Sequence, residues 1–289
     1  MAATIGTAIR HEIVKPHLGA RVHATRADMA DRDFAAACLD LLEQRNVLVF
    51  PEIGLSDEEQ IAFTDLLGER VDFTGLRKAG GDDAYPDEGD IYRVSLDKGA
   101  GFRPEFVLAT LFWHMDGITA GIIPPKATLL SARVLSAKGG QTEFANTFAA
   151  YEALPDSEKE EIANLRGVFS TFAGVRPVLD FSVTPDQWSE HAKGQEHPLV
   201  WKHADGRKSL IIGTQAESVV GMDLAEGRAL LARLLDWAVQ PDFTYRHEWR
   251  IGDLVIWNNT GSLHRVIPYD AASGRSMHRT SLAGTEPIR

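Results

Sequence analysis

The sequence predicts an α+β fold with a barrel or double-sheet core. From residue 243 to the end, apolar and polar positions alternate between turns, as half-buried antiparallel strands do. Upstream, amphipathic helical stretches are separated by short apolar runs. No G-x-G-x-x-G opens a helix, which speaks against a βαβ nucleotide-binding sheet.

The elements follow in order. "DRDFAAACLDLLEQRN" has helical periodicity and ends at Asn46. "VLVF" is a short buried strand stopped by Pro51. "LSDEEQIAFTDLLGE" is a second helix, with Ser56 as N-cap, Glu59 completing a capping box and Gly68 as stop. "KAGGDDAYPDE", from Lys78 to Glu88, reads as a loop rich in Gly, Asp and Pro, either a lid or a surface segment. "IYRVSL" and "ATLLSARVL" are strand candidates, the second ending at the turn "SAKGG". "ANTFAAYEALPDSEKEEIANL" is helical in two pieces broken near Pro155, "KSLIIG" is a short strand, and "DLAEGRALLARLLDWAVQ" is an amphipathic helix. "FTYRHEWRIGDLVIWNN", "SLHRVIPYD" and "RSMHRTSLAG" close the chain as an antiparallel meander. We expect a single domain over 1–289 with a helical insertion around 145–200.

Composition narrows the functional classes. The 289 residues are ample to bury a core, and 44% hydrophobic with 25% charged residues is ordinary for a globular protein. No segment approaches the roughly 18 consecutive apolar residues of a membrane span. The N-terminal stretch lacks the apolar run of a signal peptide, so a cytoplasmic location is the expectation. A net charge of −11 argues against nucleic-acid binding. It does not exclude a small anionic substrate held by arginines inside a cleft. Cys38 is the single cysteine, so no internal disulfide or thiolate metal cage forms, and its helical setting suits a buried structural thiol.

The chemistry points to "FWHMDG", residues 112–117. On a strand, residues two apart share a face, so His114 and Asp116 point together and Met115 points outward as a spacer. An imidazole and a carboxylate can bind one ion; the same tripeptide can equally make a surface hydrogen bond. Of the other histidines, His11, His17 and His23 read as solvated, His191 and His197 flank a polar loop, and His203 and His247 have no assignment. His264 stands out, because it begins a strand just after the turn that follows "GDLVIWNN". Two His and one carboxylate on one face, with other positions open, is the pattern of non-haem Fe(II) oxygenases. Arg275 and Arg279 lie four apart on the last strand. Inward-facing guanidiniums are costly unless they meet carboxylates, which a dicarboxylate such as 2-oxoglutarate would provide; on an edge strand both would face water.

Together these residues resemble the Fe(II)/2-oxoglutarate-dependent taurine dioxygenase family, most closely its chlorophenoxyacetate dioxygenase branch. The matching stretches are Trp113-His114-x-Asp116, Gly139-Gly140-x-Thr142-Glu143-Phe144, "AAYEALP", "HPLVWKHADGRKSLIIG", "VVGMDLAEGRALL", "FTYRHEWRIGDLVIWNN", Leu263-His264-Arg265 and the Arg275/Arg279 pair. The resemblance implies a double-stranded β-helix (jelly-roll) core with helices outside. It implies Fe(II) held by His114, Asp116 and His264. It implies 2-oxoglutarate bound by Thr142 and Arg275, with Arg279 near the chelating carboxylate and the substrate. O2 would be the second cosubstrate, succinate and CO2 the coproducts, and a C–H bond of a small organic acid the site of hydroxylation. The candidate substrates are an aryloxyalkanoate, a sulfonate, an alkyl sulfate or an amino-acid derivative. Family members often form homo-oligomers, dimers or tetramers.

The chain departs from the family at several points. Asn258-Asn259-Thr260 stand where the family has Asp-Asn-Arg. Gly117 follows the carboxylate ligand where the chlorophenoxyacetate enzymes carry a hydroxyl residue, and Thr110 stands where the taurine enzyme has a substrate-contacting asparagine. Thr110 and Gly117 are therefore candidate substrate residues, and Gly117 either widens the site or meets a backbone requirement. Two other classes are compatible with part of the pattern: a zinc hydrolase, which would leave Arg275 and Arg279 without a task, and a non-catalytic jelly-roll binding protein.

Overall fold

Local signals at the N-terminal end produce the expected elements. In the computed structural model, which describes residues 9–71, 91–96, 104–180, 182 and 184–289, Asp31 caps helix α1 (Arg32–Arg45) by accepting from the Phe34 amide. Asn46 ends that helix in the left-handed conformation, at φ 63°. Helix α2 (Asp57–Leu67) starts with the full capping box. The Ser56 hydroxyl accepts from the Glu59 amide at 3.2 Å, and Glu59 accepts from the Ser56 amide at 2.7 Å. The loop expected over 78–90 lies outside the described residues.

Among the described residues the chain runs through β1 (His11–Lys15), β2 (Leu18–Val22), β3 (Val47–Phe50), β4 (Tyr92–Ser95), β5 (Ala127–Val134) and β6 (Thr142–Asn146). A middle stretch holds β7 (Arg166–Phe169), β8 (Gln195–Pro198), β9 (Val200–Lys202), β10 (Lys208–Leu210) and β11 (Ala216–Val219). The chain closes with β12 (Thr244–His247), β13 (Leu254–Asn258), β14 (Ser262–Val266) and β15 (Ser276–Leu282). One sheet has the order β1-β2-β3-β13-β5-β15-β4, and a second the order β12-β6-β14.

The expected C-terminal meander is corrected here. The strands are antiparallel, but consecutive ones alternate between sheets: β12 and β14 flank β6, whereas β13 and β15 flank β5. Period-two alternation explains why. In β13, Leu254 and Ile256 face the helices α1 and α2, while Val255 and Trp257 face Phe144 of β6. A strand apolar on both faces belongs between two covering layers, and β13 lies in the large sheet between the helices and the small sheet. The same alternation runs through β3 and β5, so the large sheet is a slab with helices on one side and the small sheet on the other.

The stretch expected to be a helical insertion is mixed. Helices Thr147–Glu152, Asp156–Ile162 and Thr171–Val175 share it with β7 and β8. The first two of these helices and strand β7 pack with the Leu224–Ala238 helix into a third core, which also takes in Trp113, Met115 and Ile118. Cys38 is buried in the α1 layer, and burial pushes its thiol up to about 12, as a structural thiol requires. Among the described residues no helix is long and apolar enough to cross a membrane.

Candidate active site

His264 is held on β14 opposite Phe144 of β6. His114 lies on no extended strand, contrary to the sequence expectation. Its contact with β14 is a single pair of backbone hydrogen bonds: His114 N to His264 O at 3.1 Å and His264 N to His114 O at 3.0 Å. The two histidines are therefore directly opposed residues, with ring centroids 4.1 Å apart. The expectation that Met115 faces outward is also corrected. Met115 does point away from the ligand cluster, but it is fully buried in the third core. Gln215 grips its backbone from both sides, donating to Met115 O at 2.7 Å and accepting from Met115 N at 3.4 Å.

His114, Asp116 and His264 each turn one ligand atom toward a common point, all within 4.8 Å of one another. His114 Nε2 is 4.0 Å from Asp116 Oδ1, and His264 Nε2 is 3.7 Å from Asp116 Oδ2. Those separations are too long for hydrogen bonds and suit groups that share an ion between them. His114 Nδ1 lies 2.9 Å from the Phe112 carbonyl, which can only accept. The neutral ring thus carries its proton on Nδ1 and leaves the Nε2 lone pair free. His264 Nδ1 is buried without a hydrogen-bond partner. Burial pushes both imidazoles below their usual range, so both are neutral, as metal ligation requires. Burial alone would raise the Asp116 carboxyl. Arg279 and the Thr128 hydroxyl outweigh it and hold Asp116 ionised well below the usual carboxylate range. The donor set, two neutral imidazoles and one carboxylate, fits a divalent non-haem metal.

The eight residues singled out in the sequence all line one cavity of about 600 Å³. Arg275 is only 3% exposed. Its Nη2 donates to the Gly140 carbonyl at 3.0 Å, its guanidinium lies over the Tyr269 ring at 4.8 Å, and its Nε has no hydrogen-bond partner. No carboxylate among the described residues makes a salt bridge with it. Gly140, at φ 81°, makes room for it: a Cβ there would stand 2.9 Å from Arg275 Nε. Thr142 Oγ1 accepts from Trp249 Nε1 at 3.0 Å, which turns the Thr142 hydroxyl hydrogen elsewhere. Arg279 pairs with Asp116 Oδ2 at 3.0 Å and donates to Ser281 Oγ at 3.1 Å.

Thr110 reaches the cavity wall, but its hydroxyl donates to Val107 O at 2.6 Å. Gly117 also lines the cavity, and its geometry fits the backbone reading. Its φ is +82°, and a Cβ would stand 2.2 Å from Pro125 Cδ, so glycine is a backbone requirement there. Three residues had no role in the sequence reading: Thr128, whose hydroxyl donates to Asp116 Oδ2 at 2.9 Å, its neighbour Asn259, and Gln215. Thr128 and Gln215 lie 12 and 100 residues from the ligand segment they touch, and no local spacing announces either contact.

With this geometry in place, the comparisons with known proteins are specific. The family model "Taurine catabolism dioxygenase TauD, TfdA family" matches residues 11–281. An α-ketoglutarate-dependent 2,4-dichlorophenoxyacetate dioxygenase of Burkholderia sp. (strain RASC) is 36% identical over 255 residues, 84% of this chain and 83% of that protein. An (S)-phenoxypropionate/α-ketoglutarate dioxygenase of Sphingobium herbicidovorans is 32% identical over 273 residues, 89% of this chain and 88% of that protein. The crystal structure of AAD-2 with Mn(II) and N-oxalylglycine superposes with a TM-score of 0.87 at 32% identity, covering 98% of this chain and 100% of that one. The chain belongs to the TauD/TfdA dioxygenase family and is an oxidoreductase.

Proposed function

We propose that this chain, an Fe(II)- and 2-oxoglutarate-dependent dioxygenase, hydroxylates a C–H bond of a small organic acid with an apolar body, with an aryloxyalkanoate as the leading candidate. The observation that carries this reading is the buried Arg275, which makes no salt bridge to a carboxylate among the described residues, in the same cavity as the His114–Asp116–His264 cluster. When bound, iron and 2-oxoglutarate supply the oxidising chemistry: 2-oxoglutarate loses CO2 to become succinate, and O2 contributes one atom to it and one to the substrate.

The chain's own residues bind, orient and enclose. His114, Asp116 and His264 hold the iron. Arg275, with the Thr142 hydroxyl beside it, pairs with the distal carboxylate of 2-oxoglutarate. A guanidinium already buried and oriented gives up little freedom on binding. Arg279 leaves Asp116 to meet the substrate's acid group, beside the cosubstrate's near carboxylate. Val94, Phe106, Ile123, Pro125 and Val175 form the apolar wall that takes the substrate body and keeps water from the reacting carbon. Thr110 and Gly117 shape that wall rather than bond the substrate, since the Thr110 hydroxyl is committed elsewhere. The acids named for the two curated relatives favour aryloxyalkanoates over sulfonates, alkyl sulfates or amino-acid derivatives.

We read the paired sheets as the jelly-roll core of one domain spanning 1–289, with the 145–200 stretch as an insertion that walls the cavity. A cytoplasmic location fits the free thiol of Cys38. A homo-oligomer, dimer or tetramer, belongs to the same reading. The deciding assay is succinate formation with Fe(II), 2-oxoglutarate and O2 across a panel of aryloxyalkanoates, sulfonates and alkyl sulfates. Turnover confined to the aryloxy acids is the expected result. Turnover only with sulfonates or alkyl sulfates would overturn the substrate assignment.

A further inference from the structure

We infer that Thr128 and Asn259 form a buried relay that fixes the orientation of the Asp116 carboxylate through a hydrogen bond to Oδ2. The inference rests on the reading of Asp116 as a metal ligand. Thr128 lies on β5 in the middle of the large sheet, between Trp257 of β13 and Ser281 of β15, and it is fully buried. Its hydroxyl donates to Asp116 Oδ2 at 2.9 Å. A hydroxyl has one hydrogen to give, and Asn259 determines where it goes. The Asn259 amide donates to Thr128 Oγ1 at 3.0 Å, while its carbonyl oxygen is farther away, at 3.4 Å. With a lone pair held by that amide, the Thr128 hydrogen points at Asp116. Asn259 is itself 1% exposed, and its backbone amide is tied to Lys126 O at 3.0 Å, so the donor cannot drift.

Asp116 Oδ2 has a second donor, Arg279 Nη2 at 3.0 Å. The two differ in permanence. Arg279 lines the cavity, where an incoming anion competes for it. Thr128 and Asn259 do not line the cavity, so they stay on the carboxylate when cosubstrate and substrate arrive. Thr128 is therefore a positioning residue: it touches neither substrate nor cosubstrate and acts through Asp116. Partners of this kind fix a ligand's orientation and raise its affinity for the ion.

The test is Mn(II) binding to the metal-free full chain by titration calorimetry, with the melting temperature of each metal-free variant measured alongside. Thr128→Val keeps the shape and removes the hydroxyl, and Mn(II) affinity should fall by roughly ten- to a hundredfold. Thr128→Ser restores the hydroxyl and should return affinity to within about threefold of wild type, although it leaves a small cavity. Asn259→Ala keeps Thr128 but frees its hydroxyl to turn, so it should weaken binding as well, and it serves if Thr128→Val does not fold. Wild-type affinity in the folded Thr128 and Asn259 variants overturns the relay, as does an equal loss in Thr128→Ser and Thr128→Val. Undiminished Mn(II) binding by Asp116→Ala would instead sink the ligand assignment beneath it.

Discussion

Arg275 and Arg279 stand four apart and do different work; Arg279 is on β15 as expected, whereas Arg275 immediately precedes that strand. Arg275 is buried and, among the described residues, without an acid; Arg279 already has Asp116. Removing one partner of a buried charge pair costs about 2 kcal/mol or more, which is roughly thirtyfold in affinity. Arg275→Ala is therefore expected to raise the KM for 2-oxoglutarate by about that factor, with a smaller effect on the KM of the organic acid. Arg279→Ala should show the opposite preference, and steady-state kinetics with each substrate varied in turn separates the two. Equal effects on both constants would contradict the division of labour. At Gly117 the cost is conformational. Gly117→Ala places a methyl against Pro125 and strains a positive φ, with an expected loss of about 1–3 kcal/mol of stability. Chemical denaturation checks this, and a neutral result would return Gly117 to the role of a space-making residue.

At the scale of elements, the α2 capping box can be varied without touching the site. Ser56→Ala removes the acceptor of the Glu59 amide and should cost about 1 kcal/mol. In a chain of this size that is roughly 2–4 °C in Tm, with kcat and KM unchanged. A kinetic change would show that α2 communicates with the cavity through the sheet. The link to look at would be Gln60, which donates to His278 O at 3.1 Å on β15, the strand that carries Arg279. Strand β14 matters differently, because it opposes His264 to His114 by one pair of backbone hydrogen bonds. The site is thus held by main-chain pairing on one side and by the Gln215 grip on Met115 on the other.

For the molecule as a whole, buried ionisable groups set the response to pH. The buried Asp253 carboxyl would rise by burial but is held low by His247 and the amides of Arg250 and Glu52. Glu43, paired with Lys126 and Arg207, and Glu143, paired with Arg246 and Arg265, are likewise held low against burial. His197 and His203 are lowered chiefly by burial. In each case the folded pKa lies below the unfolded one, so the unfolded chain binds more protons as pH falls and stability rises with pH. The contribution of the histidines is complete above their ordinary value near 6.5 and is lost below it; that of the carboxylates is lost below about 4. Melting temperatures of the metal-free protein should fall in two stages on acidification, and His203→Gln should diminish the first. A flat profile between pH 7.5 and 5.5 would contradict this account.

The sequence by itself determined what local chemistry controls. Ser56 and Glu59 sit at capping-box spacing, Asn46 ends a helix, and Pro155 splits one, because each acts on neighbours within a few residues. The spacing of His114, Asp116, His264, Arg275 and Arg279 was also readable, since a resembling family keeps it. Tertiary structure alone decided which sheet each closing strand joins, because strand pairing depends on which faces other layers cover. It also decided that Met115 is core rather than surface, that Gly117 answers to Pro125, and that Thr128 and Asn259 reach Asp116. Those contacts join residues far apart in the chain, and packing, which carries no sequence period, is what brings them together.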